Sequence, residues 1–220
     1  MCFSAGASFA AGAVISATGV ATMRKARRPD QRLFAAIPFI FGLQQLSEGV
    51  VWVTLRSGEQ AALQDAAAHI YLWAALVIWP VVVPLAMFLM ERVRERKLIL
   101  TGLLAGGVTV AAYYAYRLIL FSVTPQIEGT HIIYRNDFPG GFGDIIFVLY
   151  LAATILSLFI SSVSRMWVLA GLVLVSFIIA VFMFTQVLTS VWCFFAAIGS
   201  VVIYWILSAP DKRPVTAAAG

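Results

Sequence analysis

The sequence places a carboxylate, Glu48, inside an apolar segment long enough to cross a membrane. A carboxylate is costly in lipid and normally faces the interior of a helix bundle. Gln44 and Gln45 precede it by four and three residues, and Trp52 follows it by four, so a helix brings all four side chains to one face. This group could anchor a small molecule or an ion, or it could be a structural hydrogen-bond cluster that fixes helix packing.

Other polar and aromatic side chains are expected at the same end of the molecule as Glu48. Two alternatives require no ligand. Arg117 could snorkel towards the membrane surface, and the Tyr and Trp side chains could belong to an aromatic belt there. A pairing of Arg117 with Glu48 is also open. We predict a polar pocket whose ligand-binding candidates are Glu48, Gln44, Gln45, Trp52, Arg117, Tyr134 and Trp192.

The two cysteines, Cys2 and Cys193, are also expected at this end. Three interpretations stay open. They form a disulfide, or they bind zinc or copper together with His131 and Glu48, or they are inert buried thiols. The sequence contains no HxxxH, CxxC, HExxH, GxSxG or P-loop motif, so it identifies no reaction and leaves open whether the protein is an enzyme.

The elements that must position these residues are seven apolar segments. The chain has 220 residues, of which 62% are hydrophobic and 11% charged, whereas a soluble domain has about 45–50% apolar and about 25% charged residues. About 20 apolar residues cross a bilayer as a helix. We predict an all-α bundle of seven transmembrane helices, in one domain over 1–208 with a disordered tail over 209–220. The helices are expected at 4–23, 33–55, 67–90, 98–122, 144–161, 166–185 and 189–207.

Lysine and arginine are concentrated in alternate connections. Most of the 15 basic residues lie in 24–32, in 92–97, at Arg165 or in the tail. The positive-inside rule therefore predicts an N-terminus outside, a C-terminus in the cytoplasm and an outward-facing pocket. We assign the net charge of +5 to contact with the lipid bilayer rather than with nucleic acid.

Local patterns predict three further features. Glu128-Gly129 favours a turn that leads into an extended run over 131–135, within the long loop 123–143. Pro80 and Pro84 favour a bend in the third helix. Small residues at four-residue spacing favour close helix packing in lipid. They are Ser4, Ser8, Gly12 and Ser16 on the first helix, and Gly102 and Gly106 on the fourth.

Several stretches of the chain together resemble a bacterial family of uncharacterised seven-helix membrane proteins. They are the opening MCFSA, the run PFIFGLQQ continued by Glu48-Gly49 and Trp52, Trp79-Pro80 with Pro84, and SVWCFFAA at 190–197. The resemblance covers most of the chain and implies the seven-helix fold but no activity. It favours as site residues Cys2, Gln45, Glu48, Trp52, His131, Tyr134, Trp192 and Cys193.

Three functional hypotheses follow for a multi-pass protein of the bacterial inner membrane. The first is a binding, sensing or transport protein whose charged anchor is Glu48. The second is a membrane-embedded enzyme that depends on a metal or a thiol. The third is a structural accessory subunit without a ligand. A sensor would need a partner membrane protein, because the sequence leaves no room for a separate soluble domain.

Overall fold

The computed structural model describes residues 4–129, 131–138, 143–183 and 188–209, with side chains outside 180–195. Within these residues the fold is a helical bundle, as predicted. A two-stranded antiparallel hairpin, β1 (Val123–Glu128) and β2 (His131–Asn136), follows the fourth helix. The helices are α1 (Ala5–Lys25), α2 (Arg32–Ser57), α3 (Ala61–Met90), α4 (Arg94–Leu120), α5 (Gly143–Ile160), α6 (Met166–Met183) and α7 (Leu188–Ser208).

Five helices, α1 to α5, are long and apolar enough to cross a membrane among the residues that the structure describes. The apolar stretches described within α6 and α7, Met166–Ile179 and Ala196–Ser208, are shorter. We call the end of the bundle that carries β1 and β2 the hairpin end. The opposite end, with residues 24–32, 91–97 and 161–165, is the basic end.

The contact between α1 and α2 depends on small residues. A Cβ atom added to Gly42 would lie 2.1 Å from the hydroxyl oxygen of Ser16, and one added to Gly19 would lie 2.5 Å from the backbone nitrogen of Phe39. The backbones can approach only because these side chains are absent or small. Close packing along the first helix is therefore confirmed, and Ser8 is fully buried there.

The prediction for the fourth helix was wrong in its position. A Cβ atom on Gly102 would meet no atom within 4 Å, and one on Gly106 would make an ordinary contact with Leu149 at 3.6 Å. The close approach is at Gly107, where a Cβ atom would lie 1.8 Å from the carbonyl oxygen of Pro80. Gly107 thus lets α4 lie against the backbone of α3.

Before Pro80, α3 changes from an α-helix to a π-helix over Trp73–Ile78. The N–H of Trp79 donates to the carbonyl of Ala74, five residues back. On the same pattern the carbonyl of Ala75 would need the N–H of residue 80, which proline lacks. The hydroxyl of Tyr150 donates to this carbonyl instead, at 2.8 Å. A side chain of α5 therefore satisfies the backbone group that Pro80 leaves without a helical partner.

The predicted turn and extended run are confirmed in the hairpin. Gly129 has a positive φ of 61°, which glycine adopts without a steric penalty. Glu128 pairs with His131, and Val123 pairs with Asn136 at the other end of the ladder. A two-stranded hairpin is marginal by itself, so its stability must come from packing onto the helices.

Candidate functional site

Glu48 is fully buried in the bundle, as expected for a carboxylate in an apolar helix. Its Oε2 atom accepts a hydrogen bond of 2.9 Å from the amide nitrogen of Gln45, one turn earlier on α2. A buried polar group must be hydrogen-bonded to avoid a large desolvation cost. Gln45 and Glu48 thus form one polar centre, which we name the Glu48 centre.

Gln44 does not join this centre through its carbonyl oxygen. That oxygen accepts a hydrogen bond of 2.8 Å from the indole N–H of Trp79 on α3. The Trp79 ring stacks on Phe41, with centroids 3.9 Å apart. The carbonyl oxygen of Gln44 thus links α2 to α3, and a role of Gln44 in ligand binding stays a prediction.

Trp52 lies one turn beyond Glu48 on α2 and is almost completely buried. Its neighbours in the apolar core include Ala67 and Ala68 of α3 and Ile132 of β2. The hairpin therefore covers the ends of α2 and α3 and inserts an isoleucine between them. The guanidinium of Arg56 lies 5.2 Å from the centroid of the Trp52 ring.

Tyr134 of β2 connects the hairpin to a second group of core residues. Its ring stacks on that of Tyr71, with centroids 5.1 Å apart and planes 12° apart. Tyr71 is fully buried and was not among the predicted site residues. The signal for it was the helical spacing from Ala67 to Tyr71, which places an aromatic ring on the same face as the small residues under the hairpin.

Arg117 is withdrawn from solvent, with 7% of its surface exposed. Its guanidinium lies over two aromatic rings, 4.5 Å from the centroid of Tyr113 and 5.5 Å from that of Phe138. Such cation–π contacts stabilise a guanidinium more strongly where water is excluded. A pairing of Arg117 with Glu48 stays a prediction. Ion pairs among the described residues include Arg28–Asp30, His69–Asp65 and Arg135–Glu128.

A cavity of about 210 Å³ lies under the hairpin. Among the described lining residues Tyr134 is a predicted site residue, and neither Glu48 nor Gln45 lines this mostly apolar space. The predicted polar pocket around Glu48 stays a prediction. Asn136 and Tyr134 supply the polar side chains of its wall. The full lining is Leu72, Leu76, Leu118, Val123, Ile132, Ile133, Tyr134, Asn136 and Phe138.

The metal hypothesis finds no support in the described part of the chain, where no three His, Cys, Asp or Glu residues form a group that could hold an ion. His131 begins β2 opposite Glu128, and Glu48 contacts Gln45. Cys2 and the side chains of Trp192 and Cys193 lie outside the described residues. The disulfide, the zinc or copper site and the inert thiols all stay predictions.

Glu91 is a buried carboxylate at the basic end that the sequence analysis missed. The backbone N–H and the hydroxyl of Ser162 both donate to it at 2.7 Å, and the N–H groups of Arg92 and Val93 donate at 2.9 Å. Burial alone would raise its pKa, but the hydrogen bonds from Ser162, Val93 and Arg92 together lower the pKa below its usual range. Glu91 therefore joins the α3–α4 and α5–α6 connections. Glu91 was missed because it directly precedes the basic residues of 92–97, and that stretch was interpreted only through its positive charge.

Among the described residues, five helices of membrane-spanning length and apolar composition indicate a multi-pass helical membrane protein. The chain belongs to a family of unknown function (DUF6629), which matches residues 1–219. Membership of an uncharacterised family is thus confirmed over almost the whole chain. No curated protein and no solved structure matches the chain.

Proposed function

We propose that this protein binds a small molecule in the cavity under the hairpin, from the outer face of a bacterial inner membrane. The observation that carries this proposal is the space of about 210 Å³ that lies between the hairpin and the helices α3 and α4. Its wall is apolar apart from Tyr134 and Asn136. Ligand sites typically combine apolar walls with a few polar groups that orient the ligand. The ligand class is therefore a small, mostly apolar molecule with one or two hydrogen-bonding groups.

The basic loops support an orientation in which the hairpin end faces outside. A ligand then enters from the outer side, beside the hairpin. Side-chain packing and the Tyr71–Tyr134 stack help to hold the strands on α2 and α3. Such contacts can separate and reform without breaking a covalent bond.

The Glu48 centre has an indirect role in this proposal. Ile132 lines the cavity and also packs with Trp52, one turn from Glu48. A ligand that displaces Ile132 therefore changes the packing of α2 at Trp52. This arrangement supports a sensing or transport function, in which a change at the hairpin reaches a buried carboxylate within the bundle. A sensor of this kind would pass the change to a partner membrane protein.

Native mass spectrometry of the purified protein tests the proposal. We expect a co-purifying organic molecule on the unaltered protein. Leu76→Trp fills the cavity and should abolish this adduct, whereas Ile70→Trp, on an exposed part of the same helix, should retain it. An unaltered protein without an adduct, or an adduct that survives Leu76→Trp, would contradict the proposal.

Metal analysis of the same preparation tests the rival hypothesis. A metal-dependent enzyme should contain stoichiometric zinc or copper that is lost in His131→Ala. Such a result would replace the apolar-ligand proposal with a metal centre that includes Cys2, Cys193 and Glu48. A preparation without metal, combined with the organic adduct, would favour binding over catalysis.

A further inference from the structure

A recess at the basic end lies opposite to the proposed ligand cavity. It has a volume of about 430 Å³ and is formed where α3 ends and α4 begins. Three of its lining residues are charged, two are apolar and one carries a hydroxyl group. The lining residues are Phe88, Arg94, Glu95, Lys97, Leu98 and Thr101.

The cations of this recess lack an acidic partner among the described residues. Arg94 is exposed and forms no ion pair there. The ammonium of Lys97 lies 4.6 Å from the centroid of the Phe88 ring, so the ring holds it without neutralising its charge. Glu95 is the one acid in the lining, and it offsets one of the two positive charges. The recess therefore keeps a net positive charge.

The start of α4 adds to this positive potential. The residue before the helix is Val93, and no side chain caps the first turn. The N-terminus of a helix carries a partial positive charge and backbone N–H groups that attract anions. In this recess the helix end and the two cations attract an anion together, and the carboxylate of Glu95 in the first turn opposes them with a single negative charge.

Four other cations at the basic end contact neighbouring protein groups. Arg28 pairs with Asp30, and Arg96 donates to the carbonyl of Ile160 at 3.4 Å. Lys25 and Arg165 lie over the rings of Tyr204 and Trp205. Arg94 and Lys97 are the two cations that line the recess, so an anion bound there would lie beside both of them.

The surface beside the recess is apolar. Leu98 is 74% exposed, and Val93, Leu89 and Ile99 are also exposed. The hydroxyl of Thr101 donates to the carbonyl of Lys97 at 2.9 Å, so it presents little polarity to a neighbour. A molecule that fills this place must combine an anionic group with a hydrocarbon chain.

We propose that the recess binds an anionic phospholipid. Its phosphate lies between Arg94 and Lys97 at the start of α4, and its acyl chain lies along Leu98. Basic pockets between transmembrane helices at the cytoplasmic surface are suited to such headgroups. The inference depends on the protein being embedded in a membrane but not on the ligand under the hairpin.

The test compares lipids on the full-length protein in a neutral detergent. Native mass spectrometry measures the binding of phosphatidylglycerol and of phosphatidylcholine. A basic residue near the membrane surface contributes about 1 kcal/mol to the attraction of anionic lipid, which corresponds to about a fivefold change in Kd. We expect each of Arg94→Ala and Lys97→Gln to weaken phosphatidylglycerol by about this factor and the double variant to weaken it by more than tenfold.

Arg92→Ala is the matched control, because Arg92 belongs to the same connection but does not line the recess. It should leave binding nearly unchanged, as should Lys97→Arg, which retains the charge. The proposal is overturned if phosphatidylcholine binds equally well or if Arg92→Ala weakens binding as much as Arg94→Ala. It is also overturned if glycerol phosphate binds as tightly as the lipid, since the partner would then be a soluble anion. Leu76→Trp should not affect this binding, so the two proposals fail separately.

Discussion

Gly107→Ala tests the close contact between α3 and α4. The added Cβ atom would lie 1.8 Å from the carbonyl oxygen of Pro80, 2.9 Å from its carbonyl carbon and 3.3 Å from the Cβ of Ala153. Non-bonded carbon contacts are optimal at about 3.5–4.0 Å. The first of these contacts involves backbone, so no side-chain rotation can relieve it. The two helices have to separate by more than about 1 Å.

The expected cost follows from two opposing effects. Overpacking of a well-packed interior costs typically about 1–3 kcal/mol. Replacing glycine by alanine within a helix contributes about 0.5–1 kcal/mol in the opposite direction. Because this clash involves backbone atoms, its cost should lie in the upper part of the overpacking range. We therefore expect Gly107→Ala to lower the free energy of unfolding by at least about 1 kcal/mol.

Unfolding by SDS in mixed micelles, followed by circular dichroism, measures this change. Gly102→Ala is the matched control on the same helix, because its Cβ would meet no atom within 4 Å. We expect it to be neutral or slightly stabilising. If the two variants unfold at the same SDS fraction as the unaltered protein, the packing of α4 against Pro80 is not as described.

Three further predictions concern a hydrogen bond, a carboxylate and the orientation. Tyr150→Phe removes the donor to a buried carbonyl of α3 and should cost about 1–3 kcal/mol of unfolding free energy, whereas Tyr116→Phe, at an exposed position, should cost almost nothing in the same SDS titration. Because the folded-state pKa of Glu91 is lowered, its stabilisation is present above the ordinary carboxyl pKa and is lost as the pH falls through the folded value. Unfolding of Glu91→Gln should therefore differ most from the unaltered protein near neutral pH, and a constant difference down to pH 3 would argue against this. An impermeant maleimide should label Gln60→Cys from outside and Arg27→Cys only from the cytoplasm, and the reverse result would invert the proposed orientation.

Hydropathy predicted the helices because each apolar segment must satisfy its own backbone and avoid water, whatever its neighbours are. The turn at Glu128-Gly129 was equally local. Burial of Glu48 followed from the cost of a carboxylate facing lipid. These features depend on the chain within a few residues, so the sequence was sufficient for them.

The partners of individual side chains were beyond such reasoning. Helical spacing placed Gln44 and Gln45 near one face, but it could not show that the neighbouring helix presents Trp79 to the first of them. Likewise, spacing favoured Gly102, whereas the rotation of α4 against Pro80 selects Gly107. The cavity is made by the hairpin, whose position depends on how β2 packs against three separate helices. All of these depend on contacts between distant parts of the chain.

The π-helical stretch Trp73–Ile78 sets the angular phase between the two halves of α3. Each residue of an α-helix turns by about 100°, and a π turn contains one residue more than an α turn. If this stretch were α-helical instead, the same number of residues would rotate the first half of the helix by about that angle relative to the second. Tyr71 would then turn away from Tyr134 while Trp79 kept its bond to Gln44. The extra residue thus lets one helix point two aromatic side chains at partners that lie in different directions.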